Sequence, residues 1–162
     1  MAESGPNWYS EEAIQIMRGN QLATIDEKGR LKIPSSFRSE IEEAHGNADF
    51  YVTSLQGDSV LIYPLSVWQE IEDRLAKLPA LNPTKKKFLD RTNYYGQVTS
   101  IDKSGRILIP SLLRESADMN GEVVVLGQLN YLDVWNHQRF LSRLKEQEFT
   151  DEDHQTLAEL GI

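Results

Sequence analysis

The chain has 162 residues, 40% hydrophobic and 26% charged, enough apolar material for one folded unit and far from disordered, collagen-like or low-complexity compositions. It contains no cysteine, which excludes disulfide frameworks, thiolate metal sites and thiol nucleophiles and fits a reducing compartment. Seventeen Lys and Arg stand against 25 Asp and Glu, and this formal charge of −8, taken as an average, argues against a nucleic-acid partner.

Residues 1–16 carry Glu3, Glu11 and Glu12, no Lys or Arg, and no continuous apolar stretch, so they lack the pattern of a signal peptide and export is not expected. The longest apolar runs, residues 60–63 and 123–126, fall far below the roughly 18 residues of a membrane helix. From Leu22 the chain reads as strand, turn, strand: Leu22 to Ile25 enters Asp26-Glu27-Lys28-Gly29, where the glycine supplies the positive φ of a short hairpin, and residues 30–33 return. Alternation in that return strand turns Leu31 and Ile33 inward and leaves Arg30 and Lys32 together on the outer face. Pro34 is placed as the first residue of a short helix whose Phe37 and Ile41 face the core. A second hairpin is expected from Tyr51 to Tyr63 around residues 56–59, followed by a helix opened by a Ser66/Gln69 capping box, striped with Trp68, Ile71, Leu75 and Leu78, and stopped at Pro79. Asn82-Pro83 opens a linking helix with Lys85, Lys86, Lys87, Phe88 and Arg91.

The plan then repeats. Residues 25–38 recur at 101–114, an offset of 76, with eight of fourteen pairs identical where composition alone gives about one. Pro110, Leu113 and Ala117 restate the helix after the strand, and Gly121 to Trp135 restates the second hairpin around Gly127 to Asn130. Leu61-Ile62-Tyr63-Pro64 with Trp68 match Asp133-Val134-Trp135-Asn136 with Phe140 at an offset of 72, so the second copy has lost four residues between its motifs. A last helix begins after Thr150 with three acids at its start, where they favour the helix dipole.

Charge is distributed unevenly over this plan. Arg18 to Arg38 carries +3 and Val98 to Arg114 carries +2, so the rest of the chain holds −13, of which residues 145–162 supply −5. Two basic islands on an acidic body would repel phosphate everywhere except at the repeated hairpins, which restores DNA as a partner despite a pI near 4.9. An outward arginine on a β-ribbon can hold guanine O6 and N7 with two parallel hydrogen bonds. Lysines such as Lys28, Lys32 and Lys103 suit phosphates, and Asp26 and Asp102 suit turn fixing or arginine orientation, since a carboxylate repels phosphate. Arg38 and Arg114 fit either phosphate contacts or structural ion pairs.

With Met17-Arg18-Gly19, the two Asp-x-x-Gly-Arg turns that end in Arg30 and Arg106 and are followed by Arg38 and Arg114, Leu61-Ile62-Tyr63-Pro64-Leu65 and Val125-Leu126-Gly127-Gln128, the chain resembles the MraZ family, bacterial regulators with two AbrB-like halves in one chain. The likeness spans residues 17–145. It implies an α+β fold, a swapped-hairpin AbrB-like β-barrel built by the two repeats with peripheral helices. The expected divisions are an N-terminal extension (1–16), a first repeat (17–66), connecting helices (67–94), a second repeat (95–137) and a helical tail (138–162). The resemblance further implies a cytoplasmic, nucleoid-associated transcriptional regulator of the cell-division and cell-wall gene cluster, without catalytic residues, metal or cofactor. Its partners would be double-stranded DNA, as tandem G-rich repeats upstream of its own operon, and further copies of itself in a ring-shaped homo-oligomer. The family's Asp-x-x-x-Arg element of DNA contact maps onto Asp26 and Arg30 and onto Asp102 and Arg106; beside it Lys28, Lys32, Lys103, Arg18 and Arg38 are candidate DNA contacts, and Asp26, Asp102, Gly29 and Gly105 shape the turns. Leu108 departs from the pattern, standing where the first copy has Lys32.

Two other classes compete. Gly57-Asp58-Ser59 with the late Asp151-Glu152-Asp153-His154 resembles the spacing of GDSL esterases, but the Gly-x-Asn block of their oxyanion hole is missing between them, and Gly57-Asp58 is ordinary hairpin-turn sequence. His45, His137 and His154 are too far apart in sequence for a zinc pattern. An AbrB-type antitoxin or a protein-binding ring scaffold is the remaining alternative.

Overall fold

Each copy of the repeat contributes four strands, and every one of them pairs with a strand of the other copy. The computed structural model describes residues 16–46 and 49–162, so the N-terminal extension expected before Met17 lies, apart from Ile16, outside the described residues. The first copy holds β1 (Asn20–Thr24), β2 (Arg30–Lys32), α1 (Ser35–His45), β3 (Phe50–Thr53), β4 (Val60–Pro64) and α2 (Leu65–Leu75). After α3 (Pro83–Tyr94) the second copy follows as β5 (Gln97–Thr99), β6 (Arg106–Leu108), α4 (Ser111–Ser116), β7 (Glu122–Gly127), β8 (Leu132–Asn136) and α5 (His137–Glu146), with α6 (Asp151–Ala158) at the end.

The hairpin expected between β1 and β2 is corrected by the pairing. The turn between them forms, and Ile25 makes a single bridge to Leu31, but β1 runs antiparallel to β7, β5 to β3, and β2 to β6. The result is an antiparallel six-stranded sheet in the order β1-β7-β8-β4-β3-β5 with a separate ribbon of β2 and β6. A pseudo-two-fold axis follows from the register: Leu31 faces Ile107 and Leu61 faces Asp133, and each pair consists of corresponding residues of the two copies. Leu22 faces Val124 while its counterpart Val98 faces Tyr51, which sets the offset at β3 and β7 to 73. Three of the four lost residues therefore fall before β7, where α4 has six residues against eleven in α1, and the fourth falls in the β7–β8 loop.

The core lies between ribbon and sheet. Leu31, Ile33, Ile107 and Ile109 are at most 1% exposed and pack with Phe50, Val52, Val60, Ile62, Val123, Val125, Leu132 and Val134. Phe37, Ile41, Leu113 and Ala117 close it from the helices. Fully burying an aliphatic side chain of this size contributes about 1.5–3 kcal/mol, so the short ribbon is held by its inner face more than by its few ladder bonds. On the other side of the sheet Tyr63 tilts against Trp68 at 5.0 Å and the corresponding Trp135 against Phe140 at 6.0 Å. Two details differ from the sequence reading. Pro34 and Pro110 sit one residue before their helices, in extended conformation. The helix α2 starts at Leu65 without a side-chain cap, because the Ser66 hydroxyl lies 2.8 Å from Nδ1 of His45.

One charge is misplaced for a sheet interior. Asp133 sits on the pseudo-two-fold axis where the first copy has leucine; its Oδ2 accepts from Nε1 of Trp135 at 3.0 Å, while Oδ1 is buried with no partner among the described residues. Burial pushes its pKa above the usual carboxylate value. A raised folded pKa means that the folded state holds the proton more tightly, so stability is lost as pH rises above the unfolded value of 3.8. Asp133→Asn keeps an acceptor for Trp135 and removes the charge. Its midpoint of thermal unfolding is expected above that of the parent at pH 7, with the difference closing near pH 3; a gap independent of pH would contradict this account.

Candidate nucleic-acid interface

The two turns are built alike. Asp26 Oδ1 accepts from the backbone N–H of Lys28 and of Arg30, both at 2.9 Å, while its Oδ2 accepts from Nε of Arg30 at 2.9 Å. Asp102 does the same for Ser104 at 2.8 Å, Arg106 at 2.9 Å and Arg106 Nε at 3.0 Å. Gly29 (φ 83°) and Gly105 (φ 81°) make the sharp corner that an L side chain resists. The Arg30 backbone N–H above all, with its guanidinium and the Lys28 N–H, holds the Asp26 carboxyl below the usual carboxylate range. Asp102 is lowered likewise, chiefly by the Arg106 backbone N–H.

Each turn is also gripped by the other copy. Ile109 N–H donates to the Gly29 carbonyl at 2.9 Å and Ile33 N–H to the Gly105 carbonyl at 2.8 Å. The Arg114 guanidinium covers Gly29, and that of Arg38 covers Gly105, so closely that a Cβ on either glycine would collide with it. Arg114 Nε donates to the Ile109 carbonyl at 2.9 Å, and Arg38 Nε pairs with Glu42 at 2.8 Å. This covering of a glycine by an arginine from the opposite repeat is the feature that sequence reasoning missed, since no local pattern announces it.

The outer face of the ribbon is a four-residue patch. Arg30 lies across from Leu108 and Lys32 across from Arg106. The side chains of Arg30 and Arg106 are 30% and 33% exposed, and Arg106 also comes within 3.8 Å of Asp26. With Nε committed to the aspartate, the two terminal nitrogens of each guanidinium remain to hold a pair of acceptors on one planar group. Lys28 and Lys103 are exposed at the turns that flank the ribbon, and Lys32 is exposed on it. Arg18 stands two residues before β1, at the end of that strand opposite the Asp26 turn. Among the described residues no group of His, Asp and Glu has the arrangement of a metal site, and no helix is long and apolar enough to cross a membrane. Ser59, weighed as an esterase nucleophile, is 6% exposed at the foot of β4.

The fold and the patch together define a duplicated α+β chain whose halves exchange strands to present one cationic ribbon. The family described as "MraZ protein, putative antitoxin-like" matches residues 16–91 and 97–160, once for each copy. The transcriptional regulator MraZ of Acidobacterium capsulatum is 48% identical over 147 residues, 91% of this chain and 100% of that protein. That of Koribacter versatilis matches to the same extent, and that of Tolumonas auensis is 30% identical over 145 residues, 90% of this chain and 91% of that protein. The chain belongs to the MraZ family of transcriptional regulators.

The geometry predicts an acid dependence. Because Asp26 and Asp102 have lowered folded pKa values, their contribution is present above the unfolded value of 3.8 and is lost as pH falls through the folded value. The double variant Asp26→Asn/Asp102→Asn retains acceptors for the turn but not the ion pairs. Its unfolding midpoint should fall less than the parent's between about pH 5 and pH 2; parallel curves would remove the carboxylates from the account.

Proposed function

We propose that this chain is a sequence-specific DNA-binding regulator of the bacterial cell-division and cell-wall gene cluster, reading tandem G-rich repeats upstream of its own operon with the β2–β6 ribbon. The observation that carries the reading is the patch of Arg30, Lys32 and Arg106, facing outward on a protein of formal charge −8. A two-stranded ribbon fits the major groove, where each aspartate-held guanidinium can take O6 and N7 of a guanine. Lys28, Lys32 and Lys103 contact the flanking phosphates and supply affinity without sequence choice. Arg38 and Arg114 support the turns, and Arg18 lies outside the interface. The two repeats close into a swapped-hairpin barrel, and several chains join head to tail in a ring that presents ribbons in one orientation to directly repeated sites. Such a regulator works in the cytoplasm at the nucleoid.

Arg30→Ala should abolish specific binding while leaving the fold intact, because a lost bidentate guanine contact costs about 1–3 kcal/mol for each engaged ribbon. Arg106→Ala should weaken binding less. Lys32 stands directly across from Arg106 and retains positive charge there, whereas Arg30 faces only Leu108. Gel-shift titration on the DNA upstream of the gene ranks the two variants, and the opposite order, or normal affinity from folded Arg30→Ala protein, would overturn the assignment.

Light scattering should find a closed oligomer, and affinity should rise steeply from one repeat to two and three in direct order. A stable monomer, equal affinity for single and tandem sites, or preference for inverted sites would refute the ring.

A further inference from the structure

Leu108 is an anomaly on the outer face of the ribbon. It is 43% exposed and belongs to no part of the core, while the three other outward positions are cations. Its inward neighbours Ile107 and Ile109 are at most 1% exposed, so burial of the strand is complete without it. Leucine at this place leaves apolar surface in water and dilutes the charge of the patch.

Resting on the DNA-binding reading above, we infer that Leu108 is a base-reading residue that takes the C5-methyl group of a thymine beside the guanine held by Arg30. Residues directly across an antiparallel pair have Cβ atoms about 4.5–5.5 Å apart, and successive bases of one strand rise by about 3.4 Å. A ribbon that places Arg30 on a guanine therefore places Leu108 one to two base steps away. Thymine alone presents a methyl group in the major groove, and a leucine against cytosine or adenine would cover an amino group without offering it an acceptor. The contact also gives the ribbon a direction. With a lysine at position 108 the four outward residues would be Arg-Lys twice over, related by the pseudo-two-fold axis and equally content in either orientation. With leucine there, one orientation meets the methyl group and the other strands it.

The test uses the full-length protein and duplexes selected by it from a random-sequence pool. The selected sequence should contain a thymine within two steps of a guanine. Replacing each thymine singly by deoxyuridine removes one methyl and nothing else. At the inferred position this should weaken binding about fourfold per engaged ribbon, the worth of one methyl-sized group leaving water. Leu108→Ala, an exposed substitution checked for folding by circular dichroism, should bind the thymine and deoxyuridine duplexes equally. Leu108→Lys should bind all duplexes more tightly, with a steeper salt dependence, and lose the thymine preference. Unchanged discrimination in Leu108→Ala, or indifference of the parent to every deoxyuridine, would overturn this inference while leaving DNA binding standing. If no duplex is selected or bound, the DNA-binding reading falls and this inference with it.

Discussion

The reciprocal pairing of β2 with β6 is the constraint on which the rest of the structure depends. Each strand has three residues, far too few to satisfy its backbone or to bury a face by itself. The partner is supplied by the other copy, with Leu31 and Ile107 meeting on the pseudo-two-fold axis. The same exchange sends the Gly29 and Gly105 carbonyls to Ile109 and Ile33 of the opposite repeat. The spacing of Arg30 from Arg106 is thereby fixed to the residue by a ladder that neither half can make alone. The functional patch and the fold are one construction, and a substitution that loosens the inner face also loosens the outer one.

The aspartates show how a basic surface is made specific. Asp26 and Asp102 remove two of the charges that would attract phosphate, which lowers affinity for any DNA. In exchange, each fixes the turn through two backbone N–H groups and holds its arginine by Nε. A guanidinium already held in place gives up less side-chain freedom when it meets a base, so orientation is gained where crude attraction is lost. The covering arginines act on the same corner from the outside: Arg114 lies over Gly29 and Arg38 over Gly105, and only a residue without a Cβ leaves room for them.

Much of this was legible in the residues because the governing patterns are local. Alternation placed Leu31 and Ile33 inside and Arg30 and Lys32 outside, and the turn glycines follow from their position after Asp26 and Asp102. What remained hidden was long-range. Two strands joined by a tight turn read as a hairpin, and only the tertiary register shows that β1 goes to β7 while β2 goes to β6. Ser66 carries a capping-box signature, yet its hydroxyl lies against His45, 21 residues earlier in the chain. The repeat match sets Asp133 against Leu61 without marking it as enclosed, and only the pairing of β4 with β8 shows it beside Leu61 and Trp135. The resemblance carried the strand exchange that periodicity could not.

Duplication by itself yields a two-fold object, and a two-fold ribbon matches a palindrome, the arrangement of a symmetric dimer on DNA. This chain departs from two-fold symmetry at the surface and in its supports. Lys28 has Ser104 as its counterpart, Lys32 has Leu108, and the eleven-residue α1 has the six-residue α4. The departures leave the inner face alone, where Leu31 and Ile107, Ile33 and Ile109, Val60 and Leu132, and Ile62 and Val134 remain matched apolar pairs. Divergence of the two copies thus runs where the core does not forbid it, on the ribbon's outer face and in helix length. Fusing the halves into one chain is what permits it, since two identical chains could not carry lysine at one ribbon position and leucine at its mate. On the proposed reading, this is how a fold with two-fold ancestry comes to face a directional, directly repeated site.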